Sequence, residues 1–308
     1  MFAEDLLREV RKAGFTPGSI VAYVRAVFVR AARRLPLHAE LVRSIAATSV
    51  LLFALQFAGA LTFSATLGRS AGVAYLVASS GVLLAATFWL LAHTGLALDR
   101  DGDRFLKRVP LPVTLTMLRL VSIPAILILI QHRSWAAATW LFVASALTDV
   151  LDGVLARSLR QESHLGKVLD PLADIAFNAS VFVAMAGAGA IPWWVAALLL
   201  TRYAMLVGGT ICLYVFHGPV HIEPTLFGKM TGVVTTSIVG LLLLGLATWT
   251  EPVRHQFHEV FAVGLAALAV ATIIQVVFIG LANKKSAASA AETERSEKVV
   301  GDVRWPRR

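Results

Sequence analysis

Cysteine is almost absent. The 308 residues hold one, Cys212, set in an apolar run, which excludes disulfides and any cysteine-based metal site and leaves packing as its role. Charge is scarce too: 15% of residues are charged against 57% hydrophobic, with a mean hydropathy of +0.73. Soluble domains carry about 25% charged residues, so this composition belongs in a bilayer. Acids number 19 against 28 Lys and Arg, for a net charge of +9. The basic excess gathers beside the apolar runs with no folded nucleic-acid module, so it points to a membrane surface and away from nucleic acid. The opening MFAEDLLREVRKAG carries acids and no apolar stretch, and predicts no cleaved signal peptide.

What the chain has is long apolar runs. They predict eight spans, at about 44–63, 73–98, 114–131, 136–156, 170–191, 194–216, 231–249 and 261–282, each helical because lipid satisfies no free backbone group. The expectation is an all-α polytopic membrane protein. An even number of spans puts both ends on one side. The segments on that side hold eight Lys and Arg (1–43), four (99–110), three (157–167), one (Lys229) and seven (284–308), against Arg69, Arg133 and Arg254 opposite. The positive-inside bias therefore expects both termini in the cytoplasm of a multi-pass protein of the inner or cell membrane.

Residues 1–43 read as a basic juxtamembrane segment, in which SIVAYVRAVFVRAARR has the character of a helix on an anionic membrane surface. Residues 284–308 are polar and rich in small residues, the composition of a disordered tail. Small-residue runs, AMAGAGA at 184–190 or Gly208 with Gly209, permit close helix packing, more readily within the chain than as a homodimer face.

The chemistry concentrates in TDVLDGVLARSLRQESHLGKVLDPLADIAF, which places Asp149, Asp152, Asp170 and Asp174 at the cytoplasmic ends of the fourth and fifth spans. Ionisable side chains there demand a reason. On a helix advancing about 100° per residue, Asp152 lies about 60° from Asp149, with Gly153 and Ala156 on the same face. Asp170 and Asp174, four apart, share a face if both are helical. Asp170 before Pro171 also makes a good helix start, Asp at the N-cap and Pro at N1. Like charges at about 5 Å cost roughly 3 kcal/mol per pair at an effective dielectric near 20, so the cluster calls for cations. Oxygen-only ligands favour a hard ion such as Mg2+, Mn2+ or Ca2+, and Mg2+ sites combine carboxylates with substrate phosphates. Gly153, Ala156 and Gly166 leave room for a nucleotide, and Arg157 offers charge to its phosphates.

Asp149-x2-Asp152-Gly153-x2-Ala156-Arg157-x8-Gly166-x3-Asp170-x3-Asp174 resembles, at every fixed position, the motif of the CDP-alcohol phosphotransferases, membrane enzymes that make phospholipids. The resemblance implies a six-helix catalytic core over 110–283, preceded by two extra spans over 44–109. It implies a CDP-activated lipid donor and an alcohol acceptor as partners, and Mg2+ or Mn2+, one ion or two, as cofactor. It implies that Asp149, Asp152, Asp170 and Asp174 hold the metal, that Asp174 is also the catalytic base, and that Thr148, Gly153, Ala156, Arg157 and Gly166 cradle CDP. PVTLTMLR at 112–119 resembles the opening of the family's first core helix, with Val113 where many members have Asn. FGKMTGVVTT at 227–236 resembles a later Gly-Lys and Thr motif, with Gly232 in place of an expected polar residue.

Arg119 and Arg202 lie within predicted spans, and Lys229 borders another. Facing the aspartates, they would suit an acceptor that carries phosphate, such as glycerol 3-phosphate, inositol phosphate or phosphatidylglycerol, and so favour CDP-diacylglycerol as donor. Two other classes compete. A membrane prenyltransferase also uses Asp-rich Mg2+ sites, but in two widely separated loops. A cation-coupled transporter would use intramembrane acids, but no inverted repeat supports one.

Overall fold

Lipid offers no partner to a backbone amide, so each apolar run has to close its hydrogen bonds on itself. A computed structural model, which describes residues 16–98, 105–158, 161–217, 226–250 and 259–278, shows each run doing so as a helix. Among the described residues there are nine α-helices: α1 (Pro17–Arg34), α2 (Ala39–Thr66), α3 (Arg69–Ala92), α4 (Leu111–Gln131), α5 (Trp135–Ser158), α6 (His164–Gly187), α7 (Trp193–His217), α8 (Leu226–Thr248) and α9 (Glu259–Phe278). All but α1 are long and apolar enough to cross a membrane, as the sequence predicts. The helix expected over SIVAYVRAVFVRAARR is α1. The predicted tail over 284–308 lies outside the described residues.

Two boundaries differ most from expectation. The second span ends at Ala92, not near 98, because the chain turns through a short 3-10 helix at Thr94–Leu96. The fifth begins at His164, so Asp170 does not cap it. Ser163 does: its Oγ accepts from the Gly166 N–H at 3.1 Å. A hydroxyl seven residues upstream of Asp170 has satisfied a free amide of the first turn. Pro171 consequently sits inside the helix, about two turns in, and the Asp170 carboxylate is free for another purpose.

The central span is α4, which packs against α2, α3, α5 and α6. On one side, Leu41, Ile45 and Leu52 of α2 and Leu83, Ala86 and Leu90 of α3 bury themselves with Val113, Met117 and Val121 of α4 and with Leu165 and Leu169 of α6. On the other, Ile126 and Ile130 of α4 join Phe142, Val181, Phe182, Leu199, Leu243 and Leu265, contributed by α5 to α9. The outward faces of α2 and α3, with Val50, Phe53, Phe57, Val77 and Leu84, are exposed large apolar residues, the expected covering against lipid.

Helices α2 and α3 form a tight antiparallel pair. Gln56 Nε2 donates to the Ser79 carbonyl at 3.1 Å, the Ser49 and Thr87 hydroxyls meet at 2.8 Å, and Phe63 stacks on Tyr75. Small residues allow this approach. A Cβ on Gly72 would lie 2.6 Å from the Ala60 carbonyl oxygen and run into the Ser64 side chain, whereas a Cβ on Gly81 would meet nothing within 4 Å. Gly72→Ala should therefore destabilise by about 1–3 kcal/mol through overpacking. Gly81→Ala should be neutral or slightly stabilising, by roughly 0.5–1 kcal/mol, through helix propensity. Thermal denaturation of the two variants in detergent checks the contrast.

Candidate active site

Five helices contribute to one polar region inside the bundle. From α4 come Thr116 and Arg119, three residues apart and so on one face. Both are buried, Arg119 to 2% exposure. From the last turns of α5 come Asp149 and Asp152, and from the first turns of α6 come Asp170, Asp174 and Asn178, one per helical turn.

Arg119 ties α4 to α5. Its Nη2 donates to Asp152 Oδ2 at 2.7 Å, and its Nη1 stands 2.6 Å from Asp149 Oδ1. The second contact is an ion pair without hydrogen-bond alignment, and both Nη1 and Nε remain without a hydrogen-bond acceptor. Asp152 is buried with the guanidinium, while the Asp149 side chain is half exposed. Thr116 ties α4 to α6 through its Oγ1, 2.7 Å from Asp170 Oδ1. That hydroxyl also lies 3.0 Å from the Pro112 carbonyl, and its single proton serves one acceptor at a time. Asn178 holds Asp174 from one turn below, its Nδ2 donating to the Asp174 carbonyl at 2.9 Å and to Oδ1 at 3.0 Å. The Asp149 charge acts on Asp152, Asp170 and Asp174 alike, and Arg202 acts on Asp174, so the four acids form one electrostatic unit.

A cavity of about 590 Å³ opens beside these groups, walled by residues of α4 to α8. Its polar wall includes Arg119, Asp149, Asp174, Asn178, Arg202 and Thr236, and its apolar wall includes Phe142, Phe177, Leu206 and Val233. Arg202 is 7% exposed, its Nε has no hydrogen-bond acceptor, and its guanidinium carbon lies 5.4 Å from the Tyr203 ring centroid. Gly232, where the sequence departs from an expected polar residue, leaves the α8 wall smooth, with Thr236 one turn on.

The residues expected around CDP sit away from this cavity. None of Thr148, Gly153, Ala156, Arg157 and Gly166 lines it. The Thr148 hydroxyl is spent on the Ser145 carbonyl at 2.7 Å. Arg157 is exposed, with its Nη1 about where it would touch a Cβ on Gly153, at 3.7 Å. Gly166 is buried, and a Cβ there would meet Ser163 Oγ at 3.3 Å, Asp170 Oδ2 at 3.5 Å and Val113 Cγ2 at 3.6 Å. Lys229 lies on α8 next to cavity-lining Gly228, but its side chain is outside the described residues. Sequence reasoning missed Thr116, Asn178 and Tyr203. Asn178 had a usable signal, as a polar residue extending the four-residue spacing of Asp170 and Asp174 into an apolar span.

Among the described residues, no three His, Cys, Asp or Glu side chains stand close enough to cage a metal ion. The donor chemistry nevertheless suits a hard cation: the carboxylates belong to one electrostatic unit, and a guanidinium already stands between two of them as a positive charge.

A family model described as CDP-alcohol phosphatidyltransferase matches residues 109–281. A probable phosphatidylglycerophosphate synthase of Mycobacterium tuberculosis is 30% identical over 166 residues, covering 52% of this chain and 75% of that protein. A putative cardiolipin synthase of Mycobacterium bovis is 39% identical over 100 residues, 32% of this chain and 47% of that one. A CDP-diacylglycerol–glycerol-3-phosphate 3-phosphatidyltransferase of Cereibacter sphaeroides is 41% identical over 105 residues, with shares of 32% and 48%.

The Arg119 clamp has a measurable consequence for stability. Breaking a buried ion pair by removing one partner costs about 3–5 kcal/mol, because the other charge is left uncompensated. Asp152→Asn should approach the lower end of that range, since Asp149 still faces Arg119. Thermal denaturation in detergent reads it, with Lys167→Gln, an exposed charge, as the neutral comparison.

Proposed function

The chain belongs to the CDP-alcohol phosphatidyltransferase family, and from that premise we propose that it moves a phosphatidyl group from CDP-diacylglycerol to an alcohol that itself bears phosphate, glycerol 3-phosphate fitting best, with release of CMP. The observation that carries the choice of acceptor is the cavity in which Arg119 and Arg202, both buried and both with an unused Nε, line the same space as Asp149 and Asp174. Two guanidiniums in the wall of one cavity are suited to a phosphate. Lys229, beside that cavity on α8, is a third candidate for the same anion. The relative from Cereibacter sphaeroides is named for glycerol 3-phosphate as its acceptor, which agrees with this reading. Phosphatidylglycerol is the second reading, favoured by the relatives named cardiolipin synthase and by the apolar wall of Phe142, Leu206 and Val233. Membership of the family sets aside the prenyltransferase and transporter alternatives.

In the reaction, Asp174 takes the proton of the acceptor hydroxyl, and the oxygen so freed attacks the β-phosphorus of the donor. The bond from that phosphorus to the bridging oxygen breaks, and CMP leaves with that oxygen. Asn178 fixes the Asp174 carboxylate by donating to one oxygen, which leaves the other to take the proton. Thr116 does the equivalent for Asp170, and Arg119 for Asp149 and Asp152. Gly153 and Ala156 keep the α5 surface low for the cytidine diphosphate, with Arg157 and Thr148 at its flank, and Gly166 lets the start of α6 pack closely beside Asp170. Mg2+ or Mn2+, one ion or two, held by Asp149, Asp152, Asp170 and Asp174, would neutralise the pyrophosphate and stabilise the leaving group. The positive-inside bias supports a site and termini that face the cytoplasm.

Purified protein in detergent, given Mg2+ and CDP-diacylglycerol, should release CMP with glycerol 3-phosphate and far less with glycerol. Equal rates with glycerol would remove the case for a phosphate-bearing acceptor, and release with phosphatidylglycerol alone would select the second reading. Asp174→Asn should lower turnover by about 10²-fold or more, as expected for loss of a general base. Donor binding by the same variant should stay near that of the parent, and near-normal turnover would rule out the base assignment. Arg202→Gln should raise KM for glycerol 3-phosphate by roughly tenfold, the loss of about 1.4 kcal/mol of phosphate binding, with kcat less affected. An unchanged KM would release Arg202 from that role.

A further inference from the structure

Arg119 is held in a way that a purely structural ion pair does not require. A guanidinium and a carboxylate in a buried pair frequently meet fork to fork, with two parallel hydrogen bonds. Arg119 instead reaches across two carboxylates one turn apart on α5, with one aligned bond to Asp152 and one unaligned contact to Asp149. Its Nε and Nη1 have no hydrogen-bond acceptor although the side chain is 1% exposed, and it lines the 590 Å³ cavity. Buried hydrogen-bonding capacity left unused is costly, so Arg119 would gain from a shift that brought those N–H groups to an anion in the cavity its side chain lines. The guanidinium occupies a position between two carboxylates that a hard cation would also seek.

We propose that Arg119 is a built-in competitor for the cation position between Asp149 and Asp152, and that it couples cation binding to anion binding. The inference rests on the proposed assignment of those aspartates as metal ligands. A divalent cation gains Asp149 and Asp152 only as Arg119 gives up at least one of them, and the guanidinium so released turns its unused N–H groups to a phosphate in the cavity. A phosphate in the cavity, by the same linkage, draws Arg119 from the carboxylates and tightens cation binding; the two effects are equal by thermodynamic necessity. In its resting state the site is thereby spared both an uncompensated acidic cluster within the bilayer and a tightly held ion with no substrate to act on.

The test is direct binding of Mn2+ to the purified full-length protein, read by the electron paramagnetic resonance of free Mn2+ and corrected for the ion's complex with glycerol 3-phosphate in solution. The parent should bind Mn2+ weakly alone and about fivefold or more tightly with saturating glycerol 3-phosphate, the lower end of ordinary coupling. Arg119→Gln should bind Mn2+ roughly tenfold tighter than the parent without the phosphate ester, a gain of about 1.4 kcal/mol, and should show no further tightening with it. Unchanged or weaker Mn2+ binding by Arg119→Gln, or tightening by the ester that survives in the variant, would overturn the proposal. If Arg119→Gln does not fold, the parent decides: labelling of Arg119 by 2,3-butanedione, read by peptide mass, should rise on adding Mn2+, and a constant or lower yield counts against release. Asp170→Asn separates this inference from the reading beneath it. Mn2+ binding lost in Asp170→Asn but not tightened in Arg119→Gln refutes the competitor alone, whereas binding indifferent to Asp170→Asn refutes the metal assignment and the competitor together.

Discussion

A charge inside a bilayer has to be met by an opposite charge, and the contact between Arg119 and the pair Asp149 and Asp152 is where this protein meets that requirement. The contact explains why α4 occupies the middle of the bundle. A guanidinium 1% exposed needs protein on every side, and α4 is the most enclosed of the eight spans, with 61% of its most apolar stretch buried. Because α4 also carries Thr116, one helix positions three of the four aspartates: Asp149 and Asp152 through Arg119, and Asp170 through Thr116. Asp174 is the exception, held from within α6 by Asn178. Three acids are thus fixed to the scaffold and the fourth is fixed to its own helix.

The first two spans belong to the same arrangement. They lie outside the matched family region, yet their buried side chains share a cluster with Val113 and Met117 of α4 and with Leu165 and Leu169 of α6, which flank Gly166. The connection from α3 to α4 adds polar ties at the same end: the Leu98 carbonyl accepts from the His164 N–H at 3.2 Å, and Ser44 Oγ accepts from the Val109 N–H at 3.0 Å. The added helices therefore back the start of α6, the element that presents Asp170 and Asp174. Their contribution to the site is support of its wall.

The spans were legible because nothing but a helix satisfies a long apolar run in lipid, and that constraint is local. The aspartates were legible because acids in such runs are rare and their spacing put them on common faces. The start of α6 was misread for a physical reason. Asp170 and Pro171 make a good helix opening taken alone, but Ser163 caps the helix at the Gly166 amide, and the helix continues through Pro171. Thr116 was not legible as a partner, since a hydroxyl on one helix finds a carboxylate on another only through packing that no local pattern encodes, whereas Asn178 holds Asp174 from four residues along the same helix, a spacing the sequence does display. Arg202 stood out in the sequence as a charge deep in a span, and its place in the wall beside Asp174 is what packing added.

The arrangement of small residues and cations suits the displacement proposed for the family's chemistry. Attack on phosphorus in line with the departing group needs the acceptor and CMP on opposite sides of the reacting atom. Arg119 and Arg202 stand in the cavity, whereas Gly153, Arg157 and Gly166 lie outside it, in the last turns of α5 and the first turn of α6. Asp149 and Asp174 line the cavity yet share the acidic unit with Asp152 and Asp170, which do not, so the carboxylates stand at the border between the two regions. A phosphorus atom at that border would have the two guanidiniums of the cavity on one side and the small residues Gly153 and Ala156 on the other. Reversing the roles of the two regions would place the cytidine against Phe142 and Leu206 within the bundle and the acceptor phosphate among glycines with one exposed arginine, a poorer match of charge and polarity on both counts.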